Sequence, residues 1–385
     1  MNQFWATLIL ASLMACSNST QLSGDDQNLA AADAAELQAN LVQSVTEQVV
    51  APKVQDLSAQ TKDLHKAIHQ ACEAKDRSSQ DLQQLWLRAM NTYHYLEAIA
   101  FGPLSDNGGE LATHIYSWPD KSSGAVVESQ IRKFNKKPDT YKLDENRMAG
   151  KGLDALEYIL FKMLTPEDVL SPDHTLCGYS VLVVDDLLFR VSDFIEQWNK
   201  DLNYVQSPVG KANLRPYLAE ITQSLFFFDK VLKDRKLAAP FGISNSTGLI
   251  CEVGVNCQLY LEHPYSLTAE QALRQNIQAL SDVINGKAGD PLAFGYSDFF
   301  KGINIEKSVY SQSAQLGSML SDLETLPRGE GFVQKVSEFR VDQCSDGDQL
   351  CRVHRAVFKV DEWLKNDFLN ALNRDLPGNV QGDND

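Results

Sequence analysis

Apolar residues recur at three- and four-residue intervals through most of this chain, and that periodicity limits its fold more than any other feature. In residues 34–74 the helical repeat is carried by Leu41, Val45, Val49, Leu57, Leu64, Ile68 and Cys72. No window shows the sustained alternation of polar and apolar residues that is typical of a half-buried strand. The sequence therefore predicts an all-α protein, with Pro52 bending its first long helix.

Further stretches have the same period and predict the remaining long helices. They lie at residues 79–100, 175–202, 211–235, 308–323 and 350–372, with another beginning at Thr268. The run Ser207-Pro208-Val209-Gly210 breaks the pattern near the middle. Four long helices per half predict two antiparallel four-helix bundles, residues 34–206 and 207–376, followed by a loose tail, residues 377–385.

The amino terminus has the pattern of an export signal. Phe4 to Ala15 is almost wholly apolar, a length that suits a signal peptide and is too short to span a bilayer. It ends in Leu-Met-Ala-Cys, which resembles a bacterial lipobox. We predict that residues 1–16 are a lipoprotein signal ending at the acylated Cys16, and that residues 17–33 are a flexible tether. The mature protein would then be lipid-anchored in the cell envelope, facing the periplasm or the cell surface, and at the outer membrane where the host has one.

The cysteine count fits an oxidising compartment. There are seven cysteines, and setting aside Cys16 leaves an even number. Two of the predicted pairs would close short loops and one would join two helices: Cys251–Cys257, Cys344–Cys351 and Cys72–Cys177. A metal site built from thiolates is disfavoured, because no Cys-x-x-Cys spacing occurs.

The charge balance excludes one class of partner. Lysine and arginine number 35 against 51 acidic residues, which gives a formal net charge of −16. Such a chain is repelled by nucleic acid and by anionic lipid headgroups, so we predict no nucleic-acid partner. The sequence also contains no phosphate-binding loop, dinucleotide fingerprint or Gly-x-Ser-x-Gly motif.

The stretch from Met148 to Phe161 places two acids beside an apolar helix face. Gly150 and Gly152 precede a helical segment in which Asp154 and Glu157 lie three residues apart and share one side. Two neighbouring carboxylates need a cation, a basic side chain or a shared proton. The alternative is structural, because Asp is a preferred N-cap and Glu three residues later completes a capping box. Spacing alone leaves both interpretations open.

The same stretch resembles the signature of a known family. Residues 152–157, Gly-Leu-Asp-Ala-Leu-Glu, are similar to the Gly-x-His-x-x-Glu signature of imelysin-like proteins, which are bacterial, exported and iron-regulated. Other segments follow in the family's order: 49–52, 86–89, 97–103, 116–119 and 262–266. The resemblance runs from about residue 35 to the end. It departs from the family at one important position, because Asp154 stands where the signature has His.

This resemblance implies a cleft between two helical bundles, with Asp154 and Glu157 on its wall and Glu97 and Glu262 joining them. Four carboxylates would suit iron or another hard cation, or a small ligand, held by a non-enzymatic protein that works with iron-uptake partner proteins. One alternative is a family member that binds protein or glycan without metal. The other is a metallopeptidase, which the missing signature imidazole disfavours.

Two histidines form a separate candidate metal pair. His65 and His69 lie four residues apart on a predicted helix, where two imidazoles can share one ion. Residue 66 is not Glu, so the pair does not form the His-Glu-x-x-His motif of zinc peptidases. We therefore predict a pair of surface histidines without a catalytic role.

Overall fold

The computed structural model describes residues 24–74, 78–118, 123–143, 148–164, 170, 175–243, 248, 250–252, 257–305 and 314–372. Within these ranges there is no β-strand, and the predicted all-α fold of two helical halves is confirmed. The predicted lipoprotein signal with Cys16 and the tail at 377–385 lie outside the described residues. Among the described helices, none is both long and apolar enough to cross a membrane.

The first half consists of α-helices with shorter 3-10 and π-helical segments between them. The α-helices are α1 (Gly24–Ser44), α2 (Ala51–Ala74), α3 (Ser79–Glu97), α4 (Asp106–Ile115), α5 (Ser123–Lys136), α6 (Gly152–Glu157) and α7 (Cys177–Gln206). The π-helical segments are Val45–Val50 and Tyr158–Met163, and the 3-10 segments are Gly102–Leu104, Pro138–Thr140 and Met148–Gly150.

The second half is built in the same way. Its α-helices are α8 (Pro208–Lys211), α9 (Arg215–Ser224), α10 (Ala269–Asn285), α11 (Tyr296–Gly302), α12 (Ala314–Thr325), α13 (Glu330–Glu338), α14 (Gln349–Trp363) and α15 (Leu369–Ala371). Phe228–Ala238 and Leu364–Phe368 are π-helical, and Cys257–Tyr260 and Val341–Gln343 are 3-10 turns. The predicted division at Ser207 coincides with the N-cap of α8, and the domain boundary itself stays a prediction.

The long helices form where the apolar period predicted them. Ser78 caps α3 by accepting a hydrogen bond from the Asp81 amide. The inward residues predicted for 34–74 are buried, apart from Cys72, which is partly buried: Leu41, Val45, Val49, Leu57, Leu64 and Ile68. The structure also contains helical residues that the sequence did not predict. Helix α1 begins at Gly24, so residues 24–33 of the predicted tether are helical. Short helices α4, α11 and α13 had no predicted counterpart, because fewer than three turns give the apolar period too little room to show.

A π-helical segment lies just before Pro52, where the sequence predicted a bend. Proline lacks the amide that would continue the helical ladder, and the segment Val45–Val50 absorbs the mismatch just before it. The Thr46 hydroxyl donates to the Val42 carbonyl at 2.8 Å, which satisfies a group in the loosened turn. The buried threonine thus keeps a hydrogen-bond partner within the π-helical segment.

Helices α3 and α10 form the seam between the two halves. They pack against each other along their length, and the buried Tyr95 hydroxyl of α3 donates to Asp282 of α10 at 2.6 Å. On its other side, α3 is joined to α6 by the Trp86 indole, which donates to the Leu153 carbonyl at 2.9 Å. Polar residues on α3 can therefore reach both halves of the chain.

Two of the three predicted disulfides are present. Cys72–Cys177 links the end of α2 to the start of α7, with Cα atoms 5.6 Å apart, and Cys344–Cys351 closes a short loop. Cys251 is disulfide-bonded as well. The predicted Cys251–Cys257 pair involves a side chain outside the described residues. The Cys72–Cys177 bond fixes the register of the two longest helices of the first half.

Position 152 requires glycine for two reasons: its backbone is left-handed, and neighbouring atoms leave no room for a Cβ. Its φ is +68°, and a Cβ placed there would lie 2.5 Å from the Ile115 carbonyl oxygen and 2.8 Å from that of His114. Close approach of α4 and α6 therefore depends on this glycine, which opens the helix that carries Asp154 and Glu157.

We expect Gly152→Ala to lower the free energy of unfolding by several kcal/mol. The left-handed backbone alone costs roughly 1–2 kcal/mol for a residue with a Cβ, and the clash with two carbonyls adds to it. Gly108→Ala is the matched control, because Gly108 has φ +71° but no atom lies within 4 Å of the position that a Cβ would take there. Urea unfolding of both variants measures the difference, and equal losses would contradict this account.

Candidate functional site

A set of buried charged and polar side chains meets where α3, α6 and α10 come together. We call it the interior cluster. It consists of His94 and Glu97 from α3, Glu157 from α6, Lys236 from the π-helical segment Phe228–Ala238, Glu262 and His263 from the chain before α10, and Asn276 from α10. Both halves of the chain contribute. The side chain of Glu97 is 15% exposed, and it is the member that reaches towards solvent.

Two imidazoles face each other at the centre of the interior cluster. The Nε2 atoms of His94 and His263 lie 2.5 Å apart. Each ring is held from behind by a carboxylate: Glu97 contacts Nδ1 of His94 at 2.6 Å, and Glu157 contacts Nδ1 of His263 at 3.2 Å. A carboxylate on the far nitrogen fixes ring orientation and raises the basicity of the nitrogen in front.

His263 owes its position to an unusual backbone. Its φ is +57°, a left-handed conformation that costs a residue with a Cβ roughly 1–2 kcal/mol. The turn that follows wraps around the Glu157 carboxylate, which accepts hydrogen bonds from the amides of Tyr265 and Ser266 at 3.2 and 2.9 Å. The Ser266 hydroxyl adds a third at 3.0 Å. These bonds offset the strain and direct the His263 ring inward.

Aromatic rings enclose the two imidazoles. Tyr116 stacks on His263 with ring centres 5.5 Å apart, and Trp86 meets the same ring edge-on at 5.3 Å. The Tyr116 hydroxyl also donates to Glu262 at 3.0 Å. This packing excludes water from the rings and lowers the local dielectric, which strengthens every charge interaction inside.

Lys236 supplies the positive charge that the acids need. Its ammonium contacts Glu97 at 2.5 Å, Glu262 at 2.9 Å and the side-chain oxygen of Asn276 at 2.7 Å. Asn276 in turn donates to Glu97 and to the His94 carbonyl. The ammonium therefore donates two hydrogen bonds, to Glu97 and Asn276, and forms an ion pair with Glu262.

The pKa values follow from these contacts. Burial would lower the pKa of Lys236, but Glu262 and Glu97 outweigh it and the pKa is raised. Burial would raise the pKa of Glu97, yet Lys236 and His94 bring it down to about 2. Burial lowers the pKa of His94, whereas at His263 burial is outweighed by Glu157 and the pKa is raised. Of the two rings, His263 therefore binds a proton more readily than His94.

Asp154 lies beside the cluster and does not cap its helix. Helix α6 has Lys151 at its N-cap, so the capping interpretation of Asp154 is wrong. Its carboxylate accepts from the amide and the hydroxyl of Ser117, at 2.5 and 2.7 Å. Burial outweighs these hydrogen bonds and, with the nearby charge of Glu157, raises the pKa of Asp154 to about 7.

The structure thus brings three of the four predicted carboxylates together. The fourth, Asp154, is hydrogen-bonded to Ser117 instead. Glu97, Glu157 and Glu262 all belong to the interior cluster, with His94, Lys236 and His263 between them. The ligand atoms of His94, Glu262 and His263 lie within 4.8 Å of one another, a spacing that suits one metal ion. The candidate ligands are therefore two imidazoles and one carboxylate, whereas the sequence predicted four carboxylates.

Sequence reasoning missed His94, Lys236, His263 and Asn276. A signal for His94 was available, because His94 and Glu97 repeat the three-residue spacing of Asp154 and Glu157. Lys236 and Asn276 give no such signal, since each is one of several polar residues in an ordinary helical stretch. Their role depends on the packing of the two halves.

Two cavities lead from the surface to Glu97. One, of about 180 Å³, is lined by Tyr93, Tyr116, Trp118 and Arg235 among others. The other, of about 620 Å³, is acidic, with Asp106 and Glu220 in its wall, and we call it the acidic vestibule. Burial and the charges of Asp106 and Asp201 raise the pKa of Glu220 despite a hydrogen bond from the Gly102 amide. The vestibule is therefore a region of negative potential that attracts cations.

Comparisons with known proteins agree with the fold. The model of the Imelysin family, which carries a peptidase name, matches residues 50–323. An imelysin-like protein from Psychrobacter arcticum 273-4 superposes with a TM-score of 0.66 at 16% identity, covering 89% of this chain and 98% of its own. A protein from Parabacteroides distasonis described as an iron-regulated protein A precursor superposes with a TM-score of 0.63 at 14% identity, covering 86% and 93%. No curated protein sequence gives a significant match.

The raised pKa of Asp154 predicts a pH-dependent effect of Asp154→Asn. Because its pKa is raised, Asp154 is tolerated in the folded protein mainly in its protonated form. Its favourable contribution to stability is therefore complete below pH 3.8 and is lost as pH rises through about 7. Asn keeps an oxygen for Ser117 and cannot ionise. The variant should therefore match the wild type near pH 4 and exceed its free energy of unfolding by a few kcal/mol near pH 8, at about 1.4 kcal/mol per pKa unit.

Asp348→Asn is the control with the opposite sign. Burial would raise the pKa of Asp348, but hydrogen bonds from Lys335 and the amides of Cys351 and Leu350 outweigh it and the pKa is lowered. Its charge therefore stabilises above pH 3.8, and this contribution is lost as pH falls through the lowered folded-state pKa, so Asp348→Asn should lose stability at neutral pH. Urea unfolding midpoints near pH 4 and near pH 8 measure both effects. An effect of Asp154→Asn that does not change with pH would refute the raised pKa of Asp154.

Proposed function

This chain belongs to the imelysin family, and from that premise we propose that it is an exported metal-binding protein of an iron-uptake system. It holds one divalent ion, foremost Fe²⁺, in the interior cluster. His94, His263 and Glu262 are the ligands, and Glu97 and Glu157 orient the two imidazoles. The iron-regulated description of the Parabacteroides distasonis protein supports the choice of ion.

One observation carries the proposal. Both imidazoles are held through Nδ1 by a carboxylate, their Nε2 atoms face each other 2.5 Å apart, and the ligand atoms of His94, His263 and Glu262 lie within 4.8 Å of one another. Carboxylate–imidazole pairs of this kind support metal ligands in many proteins. A set of two imidazoles and a carboxylate suits Fe²⁺ and Zn²⁺ better than Ca²⁺, which prefers oxygen alone.

The charge balance also favours a divalent ion. Glu97, Glu157 and Glu262 carry three negative charges against the single positive charge of Lys236, which leaves two when both rings are neutral. A divalent ion bound between the rings would neutralise them and release the proton that His263 otherwise retains. Metal binding is then coupled to proton release.

The route to the site supports an ion over a larger ligand. His94, Glu262, His263 and Lys236 are each buried, and Glu97 is the member of the cluster that lines both cavities. A hydrated cation can be drawn into the acidic vestibule and reach Glu97. A peptide bond cannot approach the imidazoles without separating α3 from α10, so we propose a binding protein and no peptidase activity.

The location rests on the amino terminus and the disulfides. Two described disulfides support an oxidising compartment outside the cytoplasm. The lipobox-like sequence ending at Cys16 supports a lipid anchor in the cell envelope. Such an anchor would keep the metal site close to the iron-uptake proteins of the same membrane.

Metal titration of the chelator-treated protein tests the proposal. The expected result is one high-affinity ion per interior cluster, with Fe²⁺ under anaerobic conditions and Zn²⁺ binding far more tightly than Ca²⁺. His263→Asn should weaken binding by about 100-fold or more, since losing an outer carboxylate alone costs roughly 10- to 100-fold. Asn is chosen because it tolerates the left-handed backbone at this position. Calorimetry measures both.

Glu157→Gln and Glu128→Gln form the matched pair. Glu157→Gln should weaken binding by roughly 10- to 100-fold by releasing the His263 ring. Glu128 accepts the Tyr158 hydroxyl from outside the cluster, so Glu128→Gln should leave the affinity unchanged. Equal affinity in the wild type and in all three variants, or no binding in any of these proteins, would refute the metal site. A protein or glycan partner would then be the remaining function.

A further inference from the structure

His65 and His69 contact a carboxylate from another helix, and none of these three residues belongs to the interior cluster. Both imidazoles project from the same face of α2, and their ring centres are 4.4 Å apart. The Nε2 atom of each lies 2.8 Å from the same oxygen of Asp185 on α7. The structure therefore adds a third ligand to the pair that the sequence alone showed as two surface histidines.

The three side chains are held in place by the scaffold beneath them. Helices α2 and α7 make the most extensive helix pair of the first half, and the Cys72–Cys177 disulfide joins them close to this group. Cys72 follows His69 by less than one turn, and Cys177 precedes Asp185 by about two turns. Such a covalent link limits relative sliding of the helices and preorganises the three side chains.

The buried neighbours direct these side chains outward. Leu64 and Ile68 alternate with the histidines on α2 and are fully buried, as are Val184 and Leu187 on either side of Asp185. The side chains of His65, His69 and Asp185 remain 27%, 32% and 46% exposed. Solvent can therefore reach the point where their ligand atoms converge.

The donor set is one that divalent transition metals accept. The three ligand atoms lie within 4.8 Å of one another. An ion with bonds of about 2.0–2.2 Å to each would need the nitrogen–oxygen separations to open from 2.8 Å to roughly 3.3 Å. Small side-chain rotations supply that change. Two imidazoles and one carboxylate with open positions for water suit Fe²⁺, Zn²⁺ and Co²⁺.

We propose that His65, His69 and Asp185 form a second metal site, which binds one divalent transition-metal ion at the surface of the first half. The ion replaces the hydrogen bonds between the imidazoles and the carboxylate, and water completes its coordination. This surface site differs from the interior cluster in being open, so it exchanges ions without any movement of α3 against α10. Its existence does not depend on the interior cluster binding metal.

Cobalt titration tests the surface site on protein purified without a histidine tag. The full chain carries His263→Asn, so that the interior cluster does not contribute. The expected result is one bound Co²⁺ with visible absorption bands, displaced by one equivalent of Zn²⁺. His69→Gln in this background should weaken Zn²⁺ binding by about 100-fold or more, and Asp185→Asn by at least about 10-fold, since each removes a ligand.

Glu196→Gln is the matched control. Glu196 is an exposed acid on the same helix, paired with Lys200, and its loss changes the net charge as Asp185→Asn does. It should leave the affinity unchanged, which separates ligation from general electrostatic attraction. Absence of stoichiometric binding, or binding that survives His69→Gln, would show that the three residues are only a polar contact between α2 and α7. Thermal unfolding of the metal-free variants confirms that each is folded.

Discussion

The contacts of one ammonium group determine how this molecule is assembled. Lys236 lies in the second half, and the acid that approaches it most closely, Glu97, lies in the first. Taking either charge out of water alone would cost several kcal/mol, so each requires the other. Glu262 and Asn276 complete the arrangement from the second half. The seam between α3 and α10 therefore has a fixed register, and the imidazoles of His94 and His263 inherit their positions from it.

The sequence predicted those parts of the structure that depend on local periodicity. The spacing of Leu57, Leu64 and Ile68 predicted helix α2 and its buried face, because burial of one face imposes a repeat that is visible along the chain. The interior cluster follows a different rule. Lys236 and His263 are more than 100 residues from His94, and only the packing of two halves brings them together. No spacing along the chain encodes that meeting.

The Gly-x-Asp-x-x-Glu motif shows where sequence-based prediction succeeds and where it ends. Its Glu157 lies in the interior cluster, where the carboxylate accepts hydrogen bonds from the amides of Tyr265 and Ser266 and contacts the His263 ring. The imidazole that Asp154 does not provide is supplied from the opposite half of the chain. With its pKa raised to about 7, the buried Asp154 is only partly ionised at neutral pH and adds less charge to this acidic region than an ordinary Asp would.

The turn around Glu157 also bears on the order of folding. Its carboxylate is buried in the first half, yet the amides, the hydroxyl and the imidazole that bind it come from residues 263–266. A nascent chain that ends before those residues has a helix α6 whose acid lacks these donors, so water must solvate it. Closure of the first half therefore waits for synthesis of the second. The two bundles should consequently gain and lose their structure together, as one cooperative unit, in keeping with the single hydrophobic core that contains residues of both.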